Sequence, residues 1–283
     1  MKQLLLDVGN SRLKWALLRQ RYRRGQPFAT HGVIELGTLH RSAAAWSRLF
    51  KSAGRPDAIH VCNVAGPAVE RQIRAAAARA GLSAPQFARS RSAAAGVRNG
   101  YREAWRLGVD RWVALIGAHH EQPDRDLCLV GLGTAMTLDL LDASGRHFGG
   151  SLVPGPRLMI ESLLQHTAGI RRRAGGRAAE PSFDLAFGPR GLRRATGLFE
   201  HNTHAALLAG ARHACAALIE RALGAARSQL GRRPRLILSG GAAAAITPLL
   251  SSRYTRHDDL ILRGLAVLAA TVQSPDRIKS RRA

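Results

Sequence analysis

An α/β chain of two related lobes is the fold class this sequence predicts. Short apolar runs alternate with stretches of helical periodicity, the pattern of strands interleaved with helices. Two of the apolar runs end in a small polar turn containing glycine and return as a second apolar run. Leu5-Leu6-Asp7-Val8-Gly9-Asn10-Ser11 and Leu129-Val130-Gly131-Leu132-Gly133-Thr134-Ala135 follow this same plan 124 positions apart. A solenoid would repeat at about 20–50 residues, so this spacing points to duplicated domains.

In chain order, residues 2–8 read as a strand, Gly9-Asn10-Ser11 as a tight turn and Leu13 to Leu18 as the returning strand. Ala58 to Val64 is a further strand. Ala68 to Ala80 has helical spacing and stops at Gly81, a C-terminal cap. Residues 90–100 are basic and small and read as a surface loop, and a helix runs from Val109 to about His120. The polar, proline-containing segment 121–126 is the expected junction, giving an N-terminal lobe over 1–122 and a C-terminal lobe over 123–283. The second strand–turn–strand covers Cys128 to Leu141, and Ser151 to Val153 is a strand. Pro156 opens a helix reaching Gln165. Residues 171–177, with three consecutive arginines, read as a loop. A long helix fits His201 to Leu223, a strand Arg235 to Leu238 enters Ser239-Gly240-Gly241 ahead of an alanine-rich helix, and a last helix fits Leu262 to Ala270.

Composition narrows the class. Of 283 residues, 46% are hydrophobic and 22% charged, which is globular rather than disordered. No apolar run approaches the ~18 residues of a membrane span and no secretory apolar region follows Met1. Cys62, Cys128 and Cys215 are widely spaced, which fits buried thiols in a reducing, cytoplasmic compartment. No metalloprotease-type His-Glu-x-x-His is present. The formal charge is +24, and 39 of the 43 cations are Arg. That excess raises nucleic acid as a partner, but aromatic residues total only 5%. The clusters at Arg171-Arg172-Arg173 and Ser280-Arg281-Arg282 read as a solvated loop and tail, so specific nucleic-acid binding is not expected.

Glycine-containing turns between strands point backbone N–H groups outward together and make anion-binding concavities. Asp7 and Asp139 are carboxylates placed to hold Mg²⁺ directly or through water, and Thr134 adds a hydroxyl. The alternative is two ordinary hairpins with polar turns. Neither a Walker A sequence nor a Gly-x-Gly-x-x-Gly after a strand is present. In Gly108-Val109-Asp110-Arg111-Trp112, Asp110 lies in a first helical turn, where the helix dipole favours a carboxylate. Either it supports the helix alone, or it acts as a base toward a hydroxyl with Arg111 clamping a substrate carboxylate.

Taken in order, these motifs resemble type III pantothenate kinase, a family of the acetate and sugar kinase and actin superfamily. The resemblance is carried by Asp7-Val8-Gly9-Asn10-Ser11-Arg12-Leu13-Lys14-Trp15, Tyr101, Leu107-Gly108-Val109-Asp110-Arg111-Trp112 and Gly133-Thr134-Ala135-Met136-Thr137-Leu138-Asp139. Gly149-Gly150-Ser151-Leu152-Val153-Pro154-Gly155, Asn202-Thr203, Ser239-Gly240-Gly241 and Leu262-Arg263-Gly264-Leu265 complete it. It implies two duplicated ribonuclease H-like, actin-like ATPase lobes with an interlobe cleft. It also implies phosphorylation of the pantothenate primary hydroxyl by ATP, the first step toward coenzyme A. By the same resemblance, Asp7, Val8, Gly9, Asn10, Ser11, Arg12, Leu13 and Lys14 form a first phosphate loop with Mg²⁺ near Asp7. Gly133 and Thr134 form a second, and Gly240 and Gly241 lie near the adenosine. Tyr101, Gly108, Val109, Asp110 and Arg111 line the pantothenate pocket, with Asp110 the catalytic carboxylate, and Thr203 reaches pantothenate across a homodimer interface.

One departure is visible. The family commonly places an Asp two residues before the second Gly-Thr-Ala, where it helps hold an activating K⁺ or NH₄⁺. This chain has Gly131 there, so weak or altered dependence on a monovalent cation is expected. A competing reading keeps the fold and drops the chemistry, making the chain a regulatory or accessory protein associated with nucleic acid. Against it stand Asp7, Asp110, Arg111, Thr134 and Asp139, all present.

Overall fold

The computed structural model describes residues 1–41, 43–175 and 197–272; the basic tail at 280–282 lies outside these. Two five-stranded sheets carry the architecture. In the first, β1 (Gln3–Val8) pairs antiparallel with β2 (Arg12–Leu18), which pairs antiparallel with β3 (Thr30–Glu35). On its other side β1 runs parallel to β4 (Ala58–Asn63), which is followed by β5 (Gln86–Phe87). The order is β3-β2-β1-β4-β5.

The second sheet repeats that order. β8 (Leu127–Leu132) pairs antiparallel with β9 (Ala135–Leu141), and β10 (His147–Pro154) continues that edge. On the other side of β8 lie β11 (Arg235–Ser239) and β12 (Tyr254–Arg256), both parallel. β6 (Ala93–Ala94) and β7 (Val97–Arg98) form a separate small ribbon. The internal repeat therefore reports a duplicated topology.

Strand alternation divides the first sheet's faces. Leu4, Leu6 and Val8 point to one side, where α1 (Leu36–Arg41), α2 (Ala43–Ser52) and α3 (Pro67–Arg79) supply Leu39, Trp46, Phe50 and Ile73. Leu5, Ala16 and Cys62 point to the other, which is covered by Val113 of α4 (Val109–Glu121) and by Leu262 and Leu265 of α9 (Leu260–Val272). α4 and α9 cross closely enough that a Cβ on Gly264 would stand 1.9 Å from the Val113 carbonyl oxygen, and one on Gly117 2.4 Å from that of Leu260. In the second sheet, Val130, Leu132, Met136 and Leu138 pack on α7 (Thr203–Leu230) and on the single turn α8 (Ala243–Ile246).

The chain divides into unit 1 (1–125, 143–149 and 259 onward) and unit 2 (126–142 and 150–258). This differs from a single break at 122/123, because α9 returns to pack on α4 and β1. None of the described helices is long and apolar enough to cross a membrane.

Several local expectations are corrected. Residues 171–175 are not loop but the end of α6 (Ala168–Gly175), which follows α5 (Pro156–His166). Arg171 folds back and donates to the Leu164 and Gln165 carbonyls at 2.7 and 2.6 Å, satisfying the end of α5. α7 runs on to Leu230 and stops at Gly231 in the left-handed conformation. The alanine-rich helix after Gly241 is only the four residues of α8. The stretch 90–100 contains the β6–β7 ribbon, and β3, α1 and α2 carry no expectation from the sequence.

Candidate active site

Unit 1 assembles most of the expected residues at the end of β1. Asp7 is the penultimate residue of that strand, in register with Lys14 on β2 and Cys62 on β4. It lies on the face that α4 covers, which carries it toward the first turn of α4 and Asp110. Asp7 is 9% exposed. Burial pushes its carboxyl up to about 7; Lys14 draws it down and Asp110 pushes it further up. The Cys62 thiol is raised by the same burial and by both carboxylates, so the four groups share one environment.

Beyond Asp7 the turn is tied by Gly9 N–H donating to the Arg12 carbonyl at 3.0 Å and Leu36 N–H donating to that of Ser11 at 2.9 Å. Val8 and Leu13 are core residues and offer this turn only their backbone. Asn10, Ser11 and Arg12 are exposed, and Arg12 pairs with Glu35 at 2.8 Å.

The α4 end is built around small residues and a buried cation. A Cβ on Gly108 would lie 2.7 Å from Asp110 Oδ1, so glycine leaves room for that carboxylate. Asp110 Oδ1 accepts the Arg111 backbone N–H at 2.9 Å, using one of the unpaired donors of a helix start. Arg111 is 6% exposed and its Nη1 donates to the Tyr101 hydroxyl at 2.9 Å. Val109 is half-buried against the α4–α9 core.

Tyr101 is fixed from two sides. Asn99 Oδ1 accepts its backbone N–H at 3.0 Å, and its ring stacks on His147 with centroids 6.0 Å apart. Neither Asn99 nor His147 was legible from sequence. His147 lies outside every motif, and Asn99 falls in the stretch 90–100 that reads as a surface loop.

Unit 2 carries the second turn. Gly133 and Thr134 are exposed, with Gly133 N–H donating to the Ala135 carbonyl at 3.1 Å. Two other glycines press on this turn. Gly155 N–H donates to the Thr134 carbonyl at 2.8 Å, and a Cβ there would meet Gly133 O at 2.2 Å. Gly240, with φ +105°, would place a Cβ 2.4 Å from Leu132 O. Gly240 and Gly241 therefore sit directly behind the second turn. Gly155 is a positioning residue that lies within a motif but carries no role in the sequence reading.

Asp139 is 4% exposed and pairs with Leu129, two residues deeper in the sheet than the Gly131–Thr137 pair. It is not the counterpart of Asp7. Thr203 opens α7 behind Asn202, whose side chain caps the helix by accepting Ala205 N–H at 2.9 Å.

A family model described as type III pantothenate kinase matches residues 3–225. A type III pantothenate kinase from Burkholderia thailandensis is 40% identical over 267 residues, 94% of this chain and 97% of that protein. One from Nitrosococcus oceani is 35% identical over 270 residues, 94% and 93%. Among solved structures, the activator of the 2-hydroxyisocaproyl-CoA dehydratase from Clostridium difficile, with bound ADPNP, covers 100% of both chains with a TM-score of 0.50 at 13% identity, a likeness of fold alone. With a family match over most of its length and relatives of this similarity, the chain belongs to the type III pantothenate kinase family.

Proposed function

We propose that this chain transfers the γ-phosphoryl group of ATP to the primary hydroxyl of pantothenate, the entry step of coenzyme A synthesis. The observation that carries this reading is the unit 1 cluster. A helix-start carboxylate, Asp110, and a buried guanidinium, Arg111, lie beside Tyr101 and share the surroundings of Asp7. Phosphoryl transfer asks a protein mainly for positioning and charge stabilisation.

Arg111 and Tyr101 would hold the pantothenate carboxylate, with Gly108 and Val109 shaping the wall. Asp110 would orient the hydroxyl and accept its proton late, as a loose transition state permits. The turn from Asp7 to Lys14 and the turn at Gly133-Thr134 would each offer N–H groups to phosphate oxygens, with Gly240-Gly241 toward the adenosine. Thr203 would be supplied by a second copy in a homodimer, working in the cytoplasm.

The donors fit a hard divalent ion. Asp7 is a buried carboxyl whose charge is disfavoured by burial and would be favoured by a bound cation, and no group of three His, Cys, Asp or Glu side chains forms a closed metal cage among the described residues. Mg²⁺ typically binds through one or two carboxylates plus water and phosphate; Asp7 is the carboxylate that would hold it in unit 1, and Asp139, through water, is the candidate that unit 2 offers. Bound there, it supplies charge neutralisation at the phosphates. A K⁺ or NH₄⁺ ion finds no carboxylate at Gly131, where Thr137 Oγ1 lies 2.7 Å from the position of a Cβ.

Asp110→Asn tests the assignment, because the amide keeps the Oδ1 that accepts Arg111 N–H. Turnover should fall by about 10²–10⁴ while the melting temperature stays unchanged; near-normal turnover would remove Asp110 from the reaction.

A further inference from the structure

A cavity of about 440 Å³ opens within unit 1, and none of the residues assigned to the reaction lines it. Its inner wall is made by His60 of β4 and Trp112 of α4, 7% and 0% exposed, and by Leu265 and Leu268 of α9. His60 shares the α4-facing side of the sheet with Cys62, but it pairs with Leu5, two residues back from the catalytic end.

Its Nε2 is buried with no hydrogen-bond partner in the structure. Burial lowers the pKa of the ring, which favours its neutral form. A buried imidazole nitrogen without a partner is costly, and here it belongs to a residue that lines a cavity of ligand size.

The mouth has the opposite chemistry. Arg89 and Arg91 are exposed beside Phe87. The guanidinium carbons of Arg74 and Arg89 stand 4.6 and 5.6 Å from the Phe87 ring centroid. Glu70 binds both, at 2.9 and 2.8 Å. Three guanidinium groups against one carboxylate leave the rim positive. Inorganic phosphate alone would satisfy the rim and leave the apolar interior and His60 unmet.

We propose that this cavity binds a small organic anion, with its carboxylate or phosphate on the Arg89–Arg91 rim, its apolar body against Phe87 and Leu268, and a hydrogen-bonding group toward His60. Guanidinium recognises either anion through paired N–H donors, and an aromatic body suits the Phe87 wall.

The test follows the His60 ring protons by NMR in the full chain, assigned by loss of their signals in His60→Gln. The chain is titrated with phenyl phosphate, benzoate and inorganic phosphate. The aromatic anions should shift the His60 signals saturably, with inorganic phosphate leaving them in place. Whichever of the two binds more tightly identifies the headgroup. Arg89→Glu, on the surface, should weaken binding about fivefold or more, and Leu268→Trp, which fills the cavity, should abolish it. His60 signals unmoved at roughly 10 mM probe, above the ~1 mM affinity expected of so small a ligand, would overturn the proposal. So would equal affinity in Arg89→Glu, or an equal response to inorganic phosphate.

Discussion

Asp7 faces Lys14 across its strand pair, and the matching position in the second sheet pairs Gly131 with Thr137. That one difference separates the two turns chemically. The first keeps a carboxylate beside a cation; the second gives the space to a hydroxyl, since a Cβ at 131 would lie 2.7 Å from Thr137 Oγ1. Comparable initial rates in Na⁺ and in K⁺ buffers follow from the missing carboxylate. An assay in which the rate collapses in Na⁺ and recovers on adding K⁺ would count against this account.

The residues proposed for the reaction could be picked out in the sequence because they fall in contiguous motifs. Asp110 and Arg111 are neighbours in sequence and in the first turn of α4. Their supports were not legible. Asn99 and His147 reach Tyr101 only through tertiary packing, from segments with no motif of their own. Gly155 was visible as a glycine, but its reason, a carbonyl 2.2 Å from where its Cβ would be, exists only once β9 and β10 are in place.

Among the elements, α4 and α9 each carry one glycine at their crossing. Gly117 and Gly264 let the backbones of α4 and α9 touch, so Gly264→Ala forces the helices apart. Overpacking of this kind costs about 1–3 kcal/mol, to be read as a lowered denaturant midpoint. An unchanged midpoint would mean the crossing is looser than the structure has it. The same helices are tied at one end by a buried cluster. Arg263 Nη1 donates to Glu121 at 2.9 Å and to the Tyr22 hydroxyl at 2.7 Å, and Tyr22 donates to Glu121 at 2.6 Å. Burial opposes the charge on Arg263, but Asp259, Tyr22 and Glu121 outweigh it and hold its pKa above the ordinary arginine value.

Arg263→Ala leaves the Glu121 carboxylate, whose side chain is only 4% exposed, with its Tyr22 and Gly25 donors but without its cation, and should cost about 3–5 kcal/mol. Arg256→Ala, which removes an exposed pair with Asp258, should cost about 0–1 kcal/mol. Equal losses in the two variants would show that burial does not set the difference. Patterning found the buried strands and missed β3 for a physical reason. Its residues alternate between half-buried and exposed, so no apolar face marks it. α6 was hidden because three arginines resemble a solvated loop until Arg171 is seen closing α5.

For the whole molecule, the duplicated sheet order explains the repeat that sequence alone suggested, and the charge of +24 takes on a different meaning. Many of the arginines are structural. They bind Glu70, Asp126, Glu161 and Glu121, and Arg24 and Arg171 close backbone carbonyls. Arg106 and Arg146 lie over Trp105 and Phe148. Planar guanidinium donors suit each of these tasks better than lysine. The remaining field favours anions in general, as ATP and pantothenate both are.

On the reading proposed here, Tyr101, Asp110 and Arg111 form the acceptor side of the kinase and Asp7 serves its phosphate side. ADP release from ATP and Mg²⁺, followed with and without pantothenate on the full chain, tests it most directly. Release that requires pantothenate and is lost in Asp110→Asn is the predicted result. Release that is absent with pantothenate, or that proceeds equally without it, would contradict the account.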